Sequence, residues 1–581
     1  MRPEAETREI APPRGPSPSA GELWALGAIL AVAMGLRAWV LRDLALHDPF
    51  FDSPSVDEQM YHEWAASIAR GEGLGGQVFL NGPAYPVFLA AIYRIFGPSV
   101  LAAKAVQSAL GVLDCVLVWA LGRRLLTPMI GLGGAAILAV YEQALFYPAT
   151  LLLEGALNTL LLGMLWLCVR AQESGRPARW AAAGACTGLA ALARPTALGF
   201  ALAMTLWAAL RPGVVRRARG ISALAYALGV AAAIAPATVY NARVGGDFVL
   251  VTYAGGMNLY IGNNPASHGE FDVPPIVPTA LADDPEEQRA VFAELAERAR
   301  GRSLAPSEVS QYWAGRALEF VREQPLAWLR LMARKVVLSL NAYEPWNVRS
   351  LTLAREASAA LRLPLLGFGA IAPFAALGLW ATRRARVRLV PLYAWLATVW
   401  LTLWVFFVLS RYRVAAVPVL AVFAAAGVAS ALEALRRRRA REIAAVTLAL
   451  AALALAVNRP IERENLGIAW YNLANHYRDR GEYDRAIELY QRALVGVPGY
   501  LSAYNNLART FEDAGRRDEA VTAWGVLLVL AQRQGSPQHV ERAQRHLAAL
   551  GASAEGARSE ASPPARSEAK PSEDQKSDRV R

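Results

Sequence analysis

The sequence predicts an all-α polytopic membrane protein of about eleven transmembrane helices, followed by a C-terminal domain of helical repeats. Three observations predict it. The 581 residues are 55% hydrophobic, with a mean hydropathy of +0.25, too apolar for a chain that faces water throughout. Apolar runs near bilayer-crossing length recur as far as residue 457. Beyond that point the composition turns polar and a 34-residue period appears.

Residues 1–22 hold Glu4, Glu6 and Glu9 among prolines. Without the charged leader and small-residue cleavage site of a secretory signal, they read as a short cytoplasmic tail. Candidate spans follow at 23–41, 100–121, 130–147, 151–169, 180–193, 196–210, 221–240, 361–381, 389–409, 414–435 and 443–457. With a cytoplasmic N-terminus, the cytoplasmic connections hold Arg123 and Arg124, then Arg170, Arg176 and Arg179, then Arg211, Arg216, Arg217 and Arg219. Further on they hold Arg383, Arg384, Arg386 and Arg388, then the arginine run 436–439 with Arg441. Arginine-rich short loops stay cytoplasmic, whereas long loops cross regardless of charge, so loops 43–99 and 241–360 are expected to be external. The same alternation accounts for most of the net charge of +12, which comes from arginine, since only four of the 60 basic residues are Lys. No nucleic-acid partner is called for. Cys115, Cys168 and Cys186 lie in apolar runs without CxxC spacing, which points to neither a disulfide framework nor a zinc site.

Three arginines break the alternation. Arg194, Arg411 and Arg413 fall on short external connections. They are either tolerated exceptions at the headgroup level or an anion site at the external membrane boundary.

In the second long loop, Asp284-Pro285-Glu286 reads as an N-cap, a Pro at N1 and a first-turn acid. Residues 325–341 mix Arg330, Arg334 and Lys335 with large apolar residues, which suits a helix lying in the membrane interface. After the last span, Trp470, Leu473, Ala474, Tyr477, Ala486, Tyr490, Ala493 and Pro498 follow tetratricopeptide spacing. Tyr504, Leu507, Ala508, Phe511, Ala520 and Trp524 repeat it. The repeat domain is expected over 465–550, on the external side. A helix at 540–550 caps it, because fewer than about three repeats rarely stand alone. The tail 551–581, rich in Ser, Ala, Pro and mixed charge, is expected to be disordered.

The first long loop contains the stretch SPSVDEQMYHEW. Asp57 and Glu58 stand at the start of a predicted helix with Ser55 as N-cap. Such acids either answer the helix dipole or do chemistry. Glu154 opens the fourth predicted span, at the same external depth, where an unpaired acid favours a partner or a function. The acidic pair, together with NGPAYPVFLAAIYRIFG, YPATLLLEGALNTLLLGMLWL, AAGACTGLAALARPTAL and SRYRVAAVPVL, resembles the C-fold (GT-C) glycosyltransferases. That superfamily comprises the dolichyl-phosphate-mannose protein mannosyltransferases and the bacterial lipid A aminoarabinose transferases. The resemblance covers roughly the first 430 residues, most strongly up to about 210. It implies a transmembrane glycosyltransferase domain over 23–457 whose first-loop Asp serves the active site and whose second acid, here Glu154, lines the same cavity. Some relatives carry a Lys just before the proline that follows the acidic pair; here Asn81-Gly82-Pro83 stands in that place.

The resemblance implies transfer of a sugar from a polyprenyl-phosphate carrier to a protein, lipid or polysaccharide on the external face of a bacterial inner membrane. Asp57 would be the general base. Arg194, Arg411 and Arg413 would hold the carrier phosphate, because guanidinium matches phosphate oxygens. Displacement from the opposite face predicts inversion. Tyr61 and His62 are candidate substrate or metal neighbours. A divalent metal is left open, since Glu58 and His62 share one helix face and Glu154 could complete a carboxylate-rich site. The alternative reading is a membrane-anchored scaffold whose repeats recruit proteins for envelope assembly, without catalysis.

Overall fold

The computed structural model describes residues 17–277, 285–462 and 464–553. The start of the N-terminal tail, the Asp284 cap and the tail from 554 lie outside the described residues. Among the described residues every regular element is helical, with two isolated bridges, Tyr141 to Leu366 and Glu270 to Val408. The chain divides into two compact units, one ending at Glu464 and one beginning at Asn465.

The first unit starts with α1 (Ala20–His47), α2 (Asp57–Arg70), α3 (Ala84–Phe96), α4 (Val100–Leu125) and α5 (Pro128–Ala139). It continues with α6 (Glu142–Phe146), α7 (Glu154–Ser174), α8 (Pro177–Ala193), α9 (Ala197–Leu210) and α10 (Arg216–Gly245). Next come α11 (Gly255–Gly262), α12 (Pro285–Arg300), α13 (Pro306–Glu323), α14 (Pro325–Leu340) and α15 (Leu351–Ala357). It closes with α16 (Phe368–Ala381), α17 (Val390–Val405), α18 (Ser410–Arg413), α19 (Val417–Arg436) and α20 (Ala440–Val457).

Each predicted span overlaps at least one helix, but bounds and lengths differ from expectation. Among the described residues five helices, α1, α4, α10, α18–α19 and α20, are long and apolar enough to cross a membrane, or six if the bent pair around α7 is one span. Several others are apolar but run to only 10–17 residues, short of the roughly 20 that a straight crossing needs. The predicted span 130–147 is corrected. Its helix stops at Ala139, and Leu366 pairs with Val140 and Glu142 through the backbone. The chain then turns inward and meets α7 at 117°.

Small residues explain the tight pairing of these helices. Gly184 and Gly229 let α8 and α10 touch backbone to backbone, because a Cβ at either would collide with a carbonyl of the facing helix. Membrane helices associate through such close approach, lipid being as apolar as leucine. Outward faces carry large exposed apolar side chains, including Trp24, Leu206, Leu228, Leu448 and Leu455, a surface suited to hydrocarbon.

The long second loop folds into α11–α15 with a small core of its own, in which Met257, Tyr260, Phe292 and Trp313 meet Phe407 and Leu409. This contact fixes the segment that leads into Ser410–Arg413. Helix α14 presents Leu326, Leu329, Val337 and Leu340 to the outside and buries Lys335, whose Nζ donates to Asn263 Oδ1 and the Trp404 carbonyl at 3.2 Å each.

A titratable cluster holds the start of that loop. Glu270 accepts from the Tyr343 hydroxyl at 3.3 Å. Burial, with the charges of Asp272 and Glu462, pushes it up to about 7, while Tyr343 and Arg334 oppose the rise. Its folded-state pKa stands above the ordinary 4.5, so the folded protein holds the extra proton and loses stability as pH rises through that window. Burial pushes Lys335 down to about 7, which acts with the opposite sign, so the comparison must be between variants. Glu270→Gln is expected to raise the melting temperature more at pH 8 than at pH 5.5; an equal effect at both would remove this cluster as a source of pH dependence.

The second unit contains α21 (Gly467–Asp479), α22 (Tyr483–Gly496), α23 (Leu501–Asp513), α24 (Arg517–Arg533) and α25 (Pro537–Ala549). Ala474, Ala486, Ala493, Ala508 and Ala520 are fully buried where paired helices approach, and Tyr490 and Trp524 fill the space between them. Helix α25 closes the second repeat: His546 stacks on Trp524 at 4.3 Å, and both rings bond Glu512.

Candidate functional site

Asp57 opens α2. The residue before it, Val56, has φ 52° and ψ −123°, a conformation that a β-branched residue holds only under constraint from its surroundings. The expected Ser55 N-cap is corrected: Val56 takes the capping position, and no side chain caps this helix. Ser55 contributes its carbonyl instead, which accepts from the Glu58 N–H at 3.0 Å. The strained turn sends the two neighbouring acids to different partners. Asp57 Oδ2 accepts from Arg411 Nη1 at 2.7 Å. Glu58, with a side chain only 1% exposed, accepts from the Leu151 N–H at 2.9 Å and lies 3.5 Å from Arg349 Nη1.

Asp57 faces a cavity of about 180 Å³ whose polar lining includes Tyr61, Asn81, Arg194 and Arg411. Trp395, Val399 and Phe406, on α17 and the turn after it, form an apolar wall. Arg194 caps the C-terminal end of α8. It pairs with Glu154, the first residue of α7, and lies over the Tyr412 ring at 4.4 Å. Glu154 therefore stands behind Arg194 and does not itself line the cavity. Gly82 sits where the first loop crosses the end of α8; a Cβ there would collide with the Leu192 and Ala193 carbonyls. One donor and one acceptor are left over: among the described residues, Arg411 Nε and Glu154 Oε2 are buried without hydrogen bonds.

Tyr61 lies one turn beyond Asp57 and packs edge-on against Tyr85 at 4.9 Å. Burial and the Asp57 charge push its hydroxyl well above the ordinary range, so it stays a neutral donor. His62 turns elsewhere: its Nδ1 meets the Tyr93 hydroxyl at 2.8 Å, and burial pushes its pKa down, keeping the ring neutral at pH 7. Glu58, His62 and Glu154, left open as metal neighbours, each take a separate partner. The three side chains go to Leu151, Tyr93 and Arg194. No group of three His, Cys, Asp or Glu among the described residues is placed to hold an ion.

Arg413 does not line this cavity. Its guanidinium, 1% exposed, donates to the Ser339, Asn341 and Tyr343 carbonyls, the last two at 2.6 and 2.9 Å. It also stands 2.6 Å from Glu344 and 3.9 Å from the centre of the Phe368 ring. Its surroundings are those of a clamp on the backbone of the second loop.

Sequence reasoning passes over several buried groups of this unit. Arg349 and Glu344 sit in loop segments without a pattern. Glu142 lies in a predicted span and so carries the same signal as Glu154; it is held by Arg355. Asp114 is another acid within a span, and it accepts from Thr159 at 2.5 Å.

Comparison with known proteins adds the following. The family model of the dolichyl-phosphate-mannose-protein mannosyltransferases matches residues 81–240, and the tetratricopeptide repeat model matches residues 467–495. A search of the curated proteins returns no match. Among solved structures, the Archaeoglobus fulgidus oligosaccharyltransferase complexed with Zn and sulfate aligns at 14% identity and a TM-score of 0.41. That alignment covers 78% of this chain but only 56% of the archaeal one. ArnT from Cupriavidus metallidurans, in its apo state, aligns at 16% identity and a TM-score of 0.31, covering 79% of this chain and 81% of ArnT. Over residues 81–240 the chain thus resembles the dolichyl-phosphate-mannose-protein mannosyltransferases of the C-fold superfamily, and it carries a tetratricopeptide repeat near its C-terminal end.

Proposed function

We propose that this chain is an integral membrane glycosyltransferase that moves a sugar from a polyprenyl-phosphate carrier to an acceptor on the external face of a bacterial inner membrane. The observation that carries the reading is one cavity where the Asp57 carboxylate and the Arg194 and Arg411 guanidiniums share a wall with apolar side chains. The guanidiniums suit a phosphate, the apolar wall suits a polyprenyl chain, and the carboxylate suits a proton acceptor. The family match over residues 81–240 supports the same donor class. About eleven crossings are proposed, the shorter helices spanning together with the irregular segments at their ends.

In the reaction the acceptor oxygen attacks the anomeric carbon. The bond from that carbon to the phosphate oxygen breaks, and its electron pair leaves with the phosphate. The acceptor proton passes to Asp57. Before substrate binds, Arg411 is paired with Asp57. An incoming phosphate competes for Arg411, so carrier binding frees the base where the acceptor must lose its proton. Arg194, backed by Glu154, supplies the second phosphate contact. The leaving group departs as an anion and needs no acid, and displacement from the opposite face inverts the anomeric carbon. No metal step is assigned.

The repeats suit recruitment of a protein, which keeps the scaffold reading as the competitor. A chain ended at Glu464 separates the two. It is expected to turn over a polyprenyl-phosphate sugar with water or a small acceptor and to lose transfer to the native acceptor. A full-length chain with no turnover, whose repeats alone rescue a deletion strain, would make it a scaffold.

A further inference from the structure

A second cavity of about 230 Å³ adjoins the first across the Ser410–Arg413 turn: Ser410 lines it, whereas Arg411 and Tyr412 line the other. That volume is far above the roughly 15 Å³ that one water requires. Its wall combines two kinds of side chain. Trp346 and Tyr147 offer aromatic surface, with the Tyr147 hydroxyl held 3.1 Å from Ser410 Oγ. Glu344, Glu464 and Arg349 offer polar groups with unused capacity. Arg349, whose side chain is 9% exposed, pairs with Asp48, and its Nη1 stands 3.5 Å from Glu58 but makes no hydrogen bond among the described residues. Both Glu344 carboxylate oxygens are likewise buried without one, although the acid is in ion-pair contact with Arg413. Among the described residues Glu464 accepts from two hydroxyls, those of Ser350 at 2.7 Å and Thr352 at 2.5 Å.

An unmade hydrogen bond on a buried charged group is costly, so a guanidinium N–H and two carboxylate oxygens that are ion-paired but without hydrogen bonds mark a place in this cavity for a ligand. The ligand must donate and accept. An anion would meet the carboxylates, and a cation would meet Arg349. An apolar group would leave these hydrogen bonds unmade. A hydroxyl both donates and accepts, and a ring with an apolar C–H face can lie on an aromatic side chain. A neutral saccharide has both.

We infer that this cavity holds a saccharide unit of the acceptor, so that the acceptor is itself a glycan or glycolipid. The inference rests on the transferase reading for the word acceptor, but saccharide binding stands apart from it. Glu58 links the two cavities, since it follows Asp57 in sequence and lies beside Arg349.

The test uses the full-length protein in nanodiscs, with chitobiose, mannobiose and maltotriose as probes, read by saturation-transfer NMR, alongside hydrolysis of a polyprenyl-phosphate sugar. At least one disaccharide or trisaccharide is expected to bind. Trp346→Ala and Glu464→Gln are each expected to weaken it at least tenfold, with donor hydrolysis within twofold of the parent. Glu464→Gln guards against a folding defect in the tryptophan variant. Saccharide binding without donor hydrolysis would support this site while removing the transferase reading. Donor hydrolysis with no saccharide bound, or binding indifferent to both substitutions, would overturn the inference.

Discussion

Replacing Asp57 by Asn is expected to slow sugar transfer by about 10²–10⁴-fold, the usual contribution of a positioned base, while carrier affinity is preserved. The amide keeps the shape of the side chain and still offers an oxygen to Arg411, but it accepts no proton at neutral pH. Because Arg411 loses its charged partner, affinity for polyprenyl phosphate should hold or tighten. Single-turnover transfer, with carrier binding and thermal unfolding measured on the same preparation, checks both halves. Activity within a few-fold of the parent would remove Asp57 as the base. Weakened carrier binding would mean that the carboxylate organises the cavity and does not take the proton.

The three arginines outside the cytoplasmic loops are expected to separate into two classes. Arg411→Ala and Arg194→Ala should weaken carrier binding, each removing a charge-assisted contact from the phosphate, and Arg194→Ala should also lower stability, because it strands the buried Glu154 carboxylate. Arg413→Ala should act on stability, by about 3–5 kcal/mol, because it strands a buried carboxylate and strips three carbonyls of their donor. Carrier titration and thermal unfolding of the three purified variants distinguish the classes. If Arg413→Ala folds like the parent and binds carrier poorly, its guanidinium belongs with the phosphate after all.

That division shows what the sequence can and cannot convey. Arg411 and Arg413 carry the same signal, a basic residue where loop charge should be low, and nothing in the string separates them. On a helical turn two residues are roughly 200° apart, so one guanidinium meets Asp57 while the other clamps the second loop. Asp57 and Glu58, roughly 100° apart, part in the same way, helped by a strained Val56 that no propensity would place at φ 52°. The apolar runs and the repeat period were legible because burial imposes periodicity over many residues. Helix lengths were less so: the stop at Ala139 depends on backbone pairing with Leu366, more than 200 residues away in sequence. Arg349 and Glu344 carry no pattern, and only the fold brings them to one cavity.

The stereochemistry of donor turnover bears most directly on the proposed reaction. The purified full-length chain is offered a panel of polyprenyl-phosphate sugars of defined anomeric configuration, and the first-formed product is followed by NMR. The expected result is release of polyprenyl phosphate with inversion at the anomeric carbon, lost in Asp57→Asn. Retention of configuration, or turnover that survives Asp57→Asn, would contradict direct displacement assisted by Asp57.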